Sequence, residues 1–415
     1  MPKAVRDIEL SNLPPTIDNL QSYDGAFLLL RYHGRPVGRI ILPVKNGKII
    51  LADHFNKIEK EVAQHLKHAV ADHFLFSDEE KELQTKATIA ICTRNRTDDL
   101  KLCLNALMKL PDKGQEIMVV DNDPSTEDTK NLVKQYPKVR YIFEKRKGLN
   151  IARNRAIEEA SNDIVVFTDD DAMVDDCWLN KIVRHFDDPM VMCVTGMTMP
   201  FELETKAQEA FENYNPFWKS FYKIRFSFSK PHPLATGKIG AGVNMALRKS
   251  LMTEIGWFDE VLDAGTPTHS GGDHEFFARI MLAGYHIIYD PEALCWHRHR
   301  QTWKEALKTI RGYGIGVYAF WTKLFFIDKQ YSVIQFPKLW LLDTQLPNFY
   351  KSLLGLRKYP LSFLLAELYG CLIGPFAYLK SKKRIRKYLK NNGNDYHSKH
   401  YYSNSQSLRF FKKDA

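Results

Sequence analysis

Asp163-Ile164-Val165-Val166-Phe167-Thr168-Asp169-Asp170-Asp171 is an apolar run that ends abruptly in three carboxylates. A short apolar run bounded by polar residues reads as a buried strand. Acids a few ångströms apart repel and raise one another's pKa. A divalent cation relieves that cost, and Mg²⁺ or Mn²⁺ choose oxygen ligands. A carboxylate cluster on such a cation at a strand end, facing a phosphate, is a way to hold a nucleotide diphosphate. The plainer reading is a solvated acidic turn in which Asp175 or Asp176 caps the next helix. The neighbouring segments decide between the two.

From Ala87 onward strands and helices alternate. Strands are expected at Thr88–Cys92, Ile117–Val120, Val139–Phe143, Ile164–Phe167 and Val191–Thr195, with helical stretches after the first, second and fourth and at Asn150–Ala160. Short buried strands alternating with helices predict an α/β fold with a doubly wound, mostly parallel sheet. Ligands in such sheets bind beyond the carboxyl ends of the strands. Polar residues stand at those ends: Thr93-Arg94-Asn95-Arg96, Asp121-Asn122, Glu144 and Asp169–Asp171.

Outside this region the chain changes character. Residues 1–84 read as a small accessory α+β module: two strands, 25–32 and 37–42, joined at His33–Pro36 and followed by a charged helix from Lys57 to Phe74. With 415 residues, 44% hydrophobic and 26% charged, the chain is long enough for two or three globular units. Six cysteines without Cys-x-x-Cys spacing predict reduced thiols rather than a disulfide frame or zinc site. The first residues lack the apolar core of a signal peptide, so a cytoplasmic location is expected. The net charge of +10 is concentrated in residues 321–415, with 17 Lys/Arg against 5 Asp/Glu; the rest sums to −2. No nucleic acid is expected as a partner, because the basicity is not spread over the whole chain.

Other motifs carry chemistry only in combination. Asp121 ends a strand and can accept from a base or ribose, or simply form a turn with Asn122 and Pro124. Arg153, in the helix that opens after Gly148, suits a phosphate or base, or faces solvent. The stretch Gly240–Ala246, which holds the candidate donor-binding residue Asn244, permits close approach of backbone to a ligand. Gly265–Ser270 is a loop of small polar residues that could close over substrate. Asp273 opens a helix, either as its cap or as a general base that the helix N-terminus keeps ionised. His297, at a strand end, can complete a cation's coordination or lie on the surface beside Arg298 and Arg300.

In order and spacing, residues 87–300 resemble the inverting family 2 glycosyltransferases of the GT-A fold. The matching pieces are Ile91–Arg96, Val119–Asn122, Ala152–Asn154, Phe167–Asp171, Gly256 with Phe258–Glu260, and Gly272-Asp273 with Arg279. The resemblance implies a catalytic domain over 85–320. It implies a nucleotide-sugar donor, a UDP-sugar first among candidates, held by Thr93, Arg94, Asp121, Arg153, Asp169 and Asp170. It implies Mn²⁺ or Mg²⁺ at Asp171 and Asp273 as catalytic base; Asp169 beside Asp171 and His297 at its strand end are the further candidate metal ligands. The family often has Glu-Asp where this chain has Gly272-Asp273, so Glu275 is a second catalytic candidate, replacing the missing carboxylate in acceptor binding. A nucleotide-sugar-forming nucleotidyltransferase shares sheet and acids but normally has a glycine-rich loop after the first strand; Cys92–Thr97 has no glycine. A non-catalytic membrane or nucleic-acid binder would leave Asp169–Asp171 and Asp273 unexplained.

Residues 321–415 are expected to be helical, aromatic and basic. Tyr359–Leu379 contains one charge, Glu367, and precedes a polybasic run from Lys380. An amphipathic segment in an anionic membrane surface is the leading reading, ahead of a hairpin packed on the catalytic domain and a true span. Peripheral attachment to the inner face of the cell membrane suits a glycan or lipid-linked acceptor, as in polysaccharide or glycolipid assembly.

Overall fold

The computed structural model describes residues 2–76, 86–229, 232–356 and 359–391. At the N-terminus lie β1 (Lys3–Glu9), β2 (Thr16–Ile17), β3 (Gly25–Tyr32), β4 (Arg35–Pro43), β5 (Ile49–Ile50) and helix α1 (Phe55–Phe76). Strands β1, β3 and β4 form one sheet. Alternation along β3 sends Leu28 and Leu30 into a cluster with Ile58 and Val62 of α1, while Phe27 and Leu29 join the main core beside Met192 and Met199. With both faces buried, the unit is not free-standing. Arg31 to Asp175 (2.7 Å) and Lys3 to Glu209 (2.6 Å) tie it further to the rest.

Next come β6 (Ala87–Thr93), α2 (Thr97–Leu107), β7 (Glu116–Asn122), α3 (Asp128–Val133), β8 (Val139–Glu144), α4 (Leu149–Glu159) and β9 (Ile164–Asp169). Then follow β10 (Ala172–Val174), α5 (Trp178–Val183), β11 (Val191–Pro200), α6 (Lys206–Tyr214), β12 (Ile224–Phe226), β13 (Asn244–Arg248), α7 (Leu251–Glu254), α8 (Gly272–Leu282) and β14 (His286–His297). One sheet runs β10-β14-β11-β13-β9-β6-β7-β8, with β12 on β14. The block β9-β6-β7-β8 is parallel, as alternating strands and helices predict. The Val191 strand does not extend that block directly. Antiparallel β13 stands between β9 and β11, and β11 then pairs in parallel with β14. Residues Ile89, Val119 and Val166 face one core cluster and Ala90, Met118 and Val165 the other, so both sheet faces are covered.

The last described part is helical: α9 (Trp303–Phe326), α10 (Gln335–Trp340), α11 (Leu346–Leu353) and α12 (Leu361–Asn391). Helices α9 and α12 approach at backbone distance because glycines face each other. A Cβ on Gly314 would lie 2.3 Å from the Glu367 carbonyl oxygen, and one on Gly370 2.2 Å from that of Arg311. Helix α12, 31 residues, is long and apolar enough to cross a membrane by length and composition. One of its faces is covered by α9; the other exposes Leu365, Tyr369, Leu372, Phe376 and Leu379.

Candidate functional site

Register assembles the acid cluster. Asp169 ends β9 and Asp171 lies in the turn into β10, where Ala172 pairs with His297 of β14. The backbone N–H of Arg298 donates to the Asp171 carbonyl (3.0 Å), which holds the turn against the end of β14. Ligand atoms of Asp169, Asp171 and His297 therefore lie within 4.8 Å of one another, a group that can hold a metal ion. Arg96 donates to Asp170 and Asp171 (2.7 Å each), and Arg300 to Asp171 (3.2 Å). Burial pushes the Asp171 carboxyl up, but His297, Arg96 and Arg300 outweigh it and hold the group well below the usual carboxylate range. Asp170 is pushed up to about 7 by burial and by Asp171; its oxygens accept from Arg96 and from the Thr93 hydroxyl (2.7 Å).

A hydrogen-bond relay tests whether the cluster fits a cation. Glu212, buried on α6, lies 3.0 Å from His299 Nε2, and an ionised carboxylate only accepts, so that nitrogen carries a proton. Burial lowers the His299 pKa in spite of Glu212, which favours the neutral ring and a bare Nδ1. His297 Nδ1 is 3.4 Å from His299 Nδ1, which links the two rings. His297 Nε2 lies 3.2 Å from Asp171 Oδ1, where the ring pairs with the carboxylate when it carries a proton and can share a cation with it when it does not. That oxygen is buried and accepts no well-formed hydrogen bond. Two carboxylates and an imidazole converging within 4.8 Å, one of their oxygens buried without a well-formed hydrogen bond, make a donor set that fits a divalent metal.

A cavity of about 910 Å³ opens beside this cluster. Of the sequence-derived candidates, Arg153, Asp169, Asp273 and His297 line it, with Arg96. Arg153 is not solvent-facing. It is 4% exposed, pairs with Asp263 (2.9 Å), and rests where Gly242 has no side chain: a Cβ there would sit 2.4 Å from its guanidinium. Asp273 is in the first turn of α8, whose cap is Gly271 at φ 95°. Its oxygens accept from the backbone N–H groups of His274 (2.8 Å) and Gly242 (3.1 Å). Burial pushes the Asp273 carboxyl up, yet His274, Arg153 and those two N–H groups bring it below its ordinary value.

Two candidates lie away from the cavity. Glu275 does not reach the cavity: it is 1% exposed and both oxygens are used by Arg279 (2.7 and 2.8 Å) and Lys323 (2.5 Å), a buried ion cluster joining α8 to α9. The carboxylate near Gly272 is Asp263, whose Oδ2 would lie 2.4 Å from a Cβ at 272. Asn244 is fully buried and bonded to the Trp178 indole (2.8 Å) and to the Met197 and Ala293 carbonyls, so it staples strands together. Thr93, Arg94 and Asp121 stand outside the cavity lining. Arg94 pairs with Asp123 (3.0 Å), and buried Asp121 accepts from the Tyr141 hydroxyl (2.9 Å), its pKa raised by burial. The loop after Gly265 is tied down, because Ser270 Oγ donates to the Gly312 carbonyl (3.0 Å) and Gly271 abuts Gly316. Sequence reading missed Asp263, the Glu212–His299 pair and the lining from α9 and α10. Only an acidic residue near a glycine, for Asp263, offered any signal.

The fold thus sets a mixed α/β sheet with an acid and histidine cluster at its strand ends beside a cavity that Asp273 lines. Residues 88–256 match the family described as Glycosyl transferase family 2. Over 296 residues it is 24% identical to the pre-mycofactocin glycosyltransferase of Mycobacterium tuberculosis, covering 70% of this chain and 59% of that protein. It is 24% identical over 236 residues to the poly-beta-1,6-N-acetyl-D-glucosamine synthase of Staphylococcus aureus, covering 54% of each. The chain thus spans somewhat over half the length of these relatives. Among solved structures, the mannosyltransferase PcManGT from Pyrobaculum calidifontis, in complex with GDP-Man and Mn²⁺, aligns with TM-score 0.44 and 17% identity, over 87% of this chain and 90% of that one.

Proposed function

We propose that this protein is a metal-dependent inverting glycosyltransferase that moves a sugar from a nucleotide-diphosphate donor, first among them a UDP-sugar, to a hydroxyl acceptor. The observation that carries the reading is the meeting of Asp169, His297 and Asp273 on one cavity within a family 2 domain. Asp169, Asp171 and His297 would hold Mn²⁺ or Mg²⁺, which when bound neutralises charge on the departing diphosphate. Arg96 and Arg300 supply positive charge at the same place. Asp273, ionised, takes the acceptor hydroxyl's proton as that oxygen bonds to the anomeric carbon and the carbon–oxygen bond to diphosphate breaks. A positioned base is typically worth 10² to 10⁴ in rate.

The exposed apolar face of α12 and the lysines and arginines at 380–390 support peripheral contact with an anionic membrane, and with it a role in polysaccharide or glycolipid assembly. Binding across UDP-, GDP- and dTDP-sugars with and without Mn²⁺ tests the donor reading. Metal-dependent preference for one donor is the expected result, and no binding under either condition would overturn it. Flotation with anionic vesicles tests the second reading: the parent should float and Leu372→Asp/Phe376→Asp should not. A parent that stays at the bottom of the gradient sinks it.

A further inference from the structure

The cavity changes character along α9. Residues of this helix that line it are Glu305, Lys308 and Thr309 near its start, Gly312 and Tyr313 in the middle, and Val317, Phe320 and Trp321 further on. At 1.5 Å rise per residue, Glu305 to Trp321 spans about 24 Å. The start of the helix adjoins the metal cluster, since Arg300 bonds Asp171 just before it. The middle carries the Asp273 loop, as Gly271 and Ser270 abut Gly316 and Gly312. The far part is apolar: Phe336, Leu339 and Trp340 of α10 complete it, with the Trp321 and Phe336 rings stacked at 6.4 Å. Asp273 therefore stands between a charged end and an aromatic end.

Resting on the transferase reading above, we infer that the aromatic end is a subsite for the hydrocarbon part of an amphipathic acceptor, whose hydroxyl head lies at Asp273 and whose tail points away from the donor. A purely polar glycan there would lose hydrogen bonds to water and regain only those that Thr236, His274, Glu367 and the Trp321 and Trp340 indole N–H groups of the lining can supply. A hydrocarbon loses none. The subsite also leads outward. Leu339 both lines the cavity and is 47% exposed, and beyond it Leu342 and Leu346 are exposed on the same helical segment. Leu339 thus stands at the border between the lobe and the exposed apolar side chains of the C-terminal helices.

A chain-length series measures this directly. Methyl, butyl, hexyl and octyl β-D-glucoside, all below micelle-forming concentrations, are titrated into the full-length protein, with tryptophan fluorescence as readout. Affinity should rise about two- to fourfold per methylene as the tail enters the lobe. Val317→Trp, which fills the lobe, and Trp340→Ala, which removes a wall, should each flatten that rise. Leu372→Asp/Phe376→Asp, on the outer face of α12, should leave it intact. Binding of UDP with Mn²⁺ is measured on the same samples. Affinity independent of chain length, with UDP·Mn²⁺ still binding, overturns the subsite alone. A rise lost only in the α12 variant assigns the binding to the outer surface and also overturns it. Loss of both activities in the parent overturns the subsite together with the transferase reading.

Discussion

Glu212→Gln probes the least visible part of the metal site, because Glu212 touches neither cation ligand nor cavity chemistry directly. It acts through two imidazoles: 3.0 Å to His299, then 3.4 Å to His297, with the two ring centroids 5.5 Å apart. At roughly 10 Å and an effective dielectric of about 20, charges of −1 and +2 attract by about 3 kcal/mol, an upper bound because Arg96 and Arg300 lie nearby. Loss of an outer hydrogen-bond partner of a metal-bound histidine typically costs 10- to 100-fold in metal affinity, or about 1.4–2.7 kcal/mol. The two routes agree near 2 kcal/mol, about 30-fold. The amide nearly conserves volume, so the fold should persist, which circular dichroism checks. Mn²⁺ affinity is read from the free-ion EPR signal in the absence of any donor, with His297→Ala setting the scale for losing the ligand itself. Unchanged Mn²⁺ affinity in Glu212→Gln, alongside clear weakening in His297→Ala, would refute the relay.

Asp273→Asn should retain Mn²⁺-dependent donor binding and lose 10² to 10⁴ in turnover, measured by donor titration and initial rates. Since Asp273 is held below its ordinary value, lowering the pH from 7 to 5 should leave this base ionised, and a rate loss there that disappears only in Asp273 variants would contradict the assignment. Glu275→Gln should act on stability instead: breaking its buried pairs with Arg279 and Lys323 costs about 3 kcal/mol or more, seen in denaturant melts. A normal melt with collapsed turnover would reverse the roles of the two acids. Gly370→Leu gains roughly 1 kcal/mol of helix propensity but places a Cβ against the Arg311 carbonyl. The expected net result is a lower melting temperature and looser α9–α12 packing by hydrogen exchange.

Much of the catalytic half could be read from the chain alone. Apolar runs such as Ile164–Phe167 have only one way to bury both faces, inside a covered sheet, and the acids after them stand at strand ends by direct consequence. The order of strand-end residues was enough to place Asp169 and Asp171 together and to suggest His297 as their partner. Residue type could not show which polar side chains turn inward to structural work. Asn244 and Glu275 lie in stretches that also hold functional residues, yet each is consumed by partners distant in sequence.

The sequence by itself determined the parallel block β9-β6-β7-β8 and the acid cluster at its edge, because strand periodicity and charge repulsion are local properties that a run of residues states directly. Only tertiary structure decided the rest. The relay through Glu212 joins α6 to the end of β14. Asp263 reaches Arg153 because Gly272 leaves room. The apolar residues of 359–379 divide between a face that α9 covers and a face left open, according to where Gly314, Gly370 and Gly374 permit two backbones to meet. Such contacts depend on which surfaces approach one another across the chain, and that is set by packing of the whole molecule rather than by any one segment.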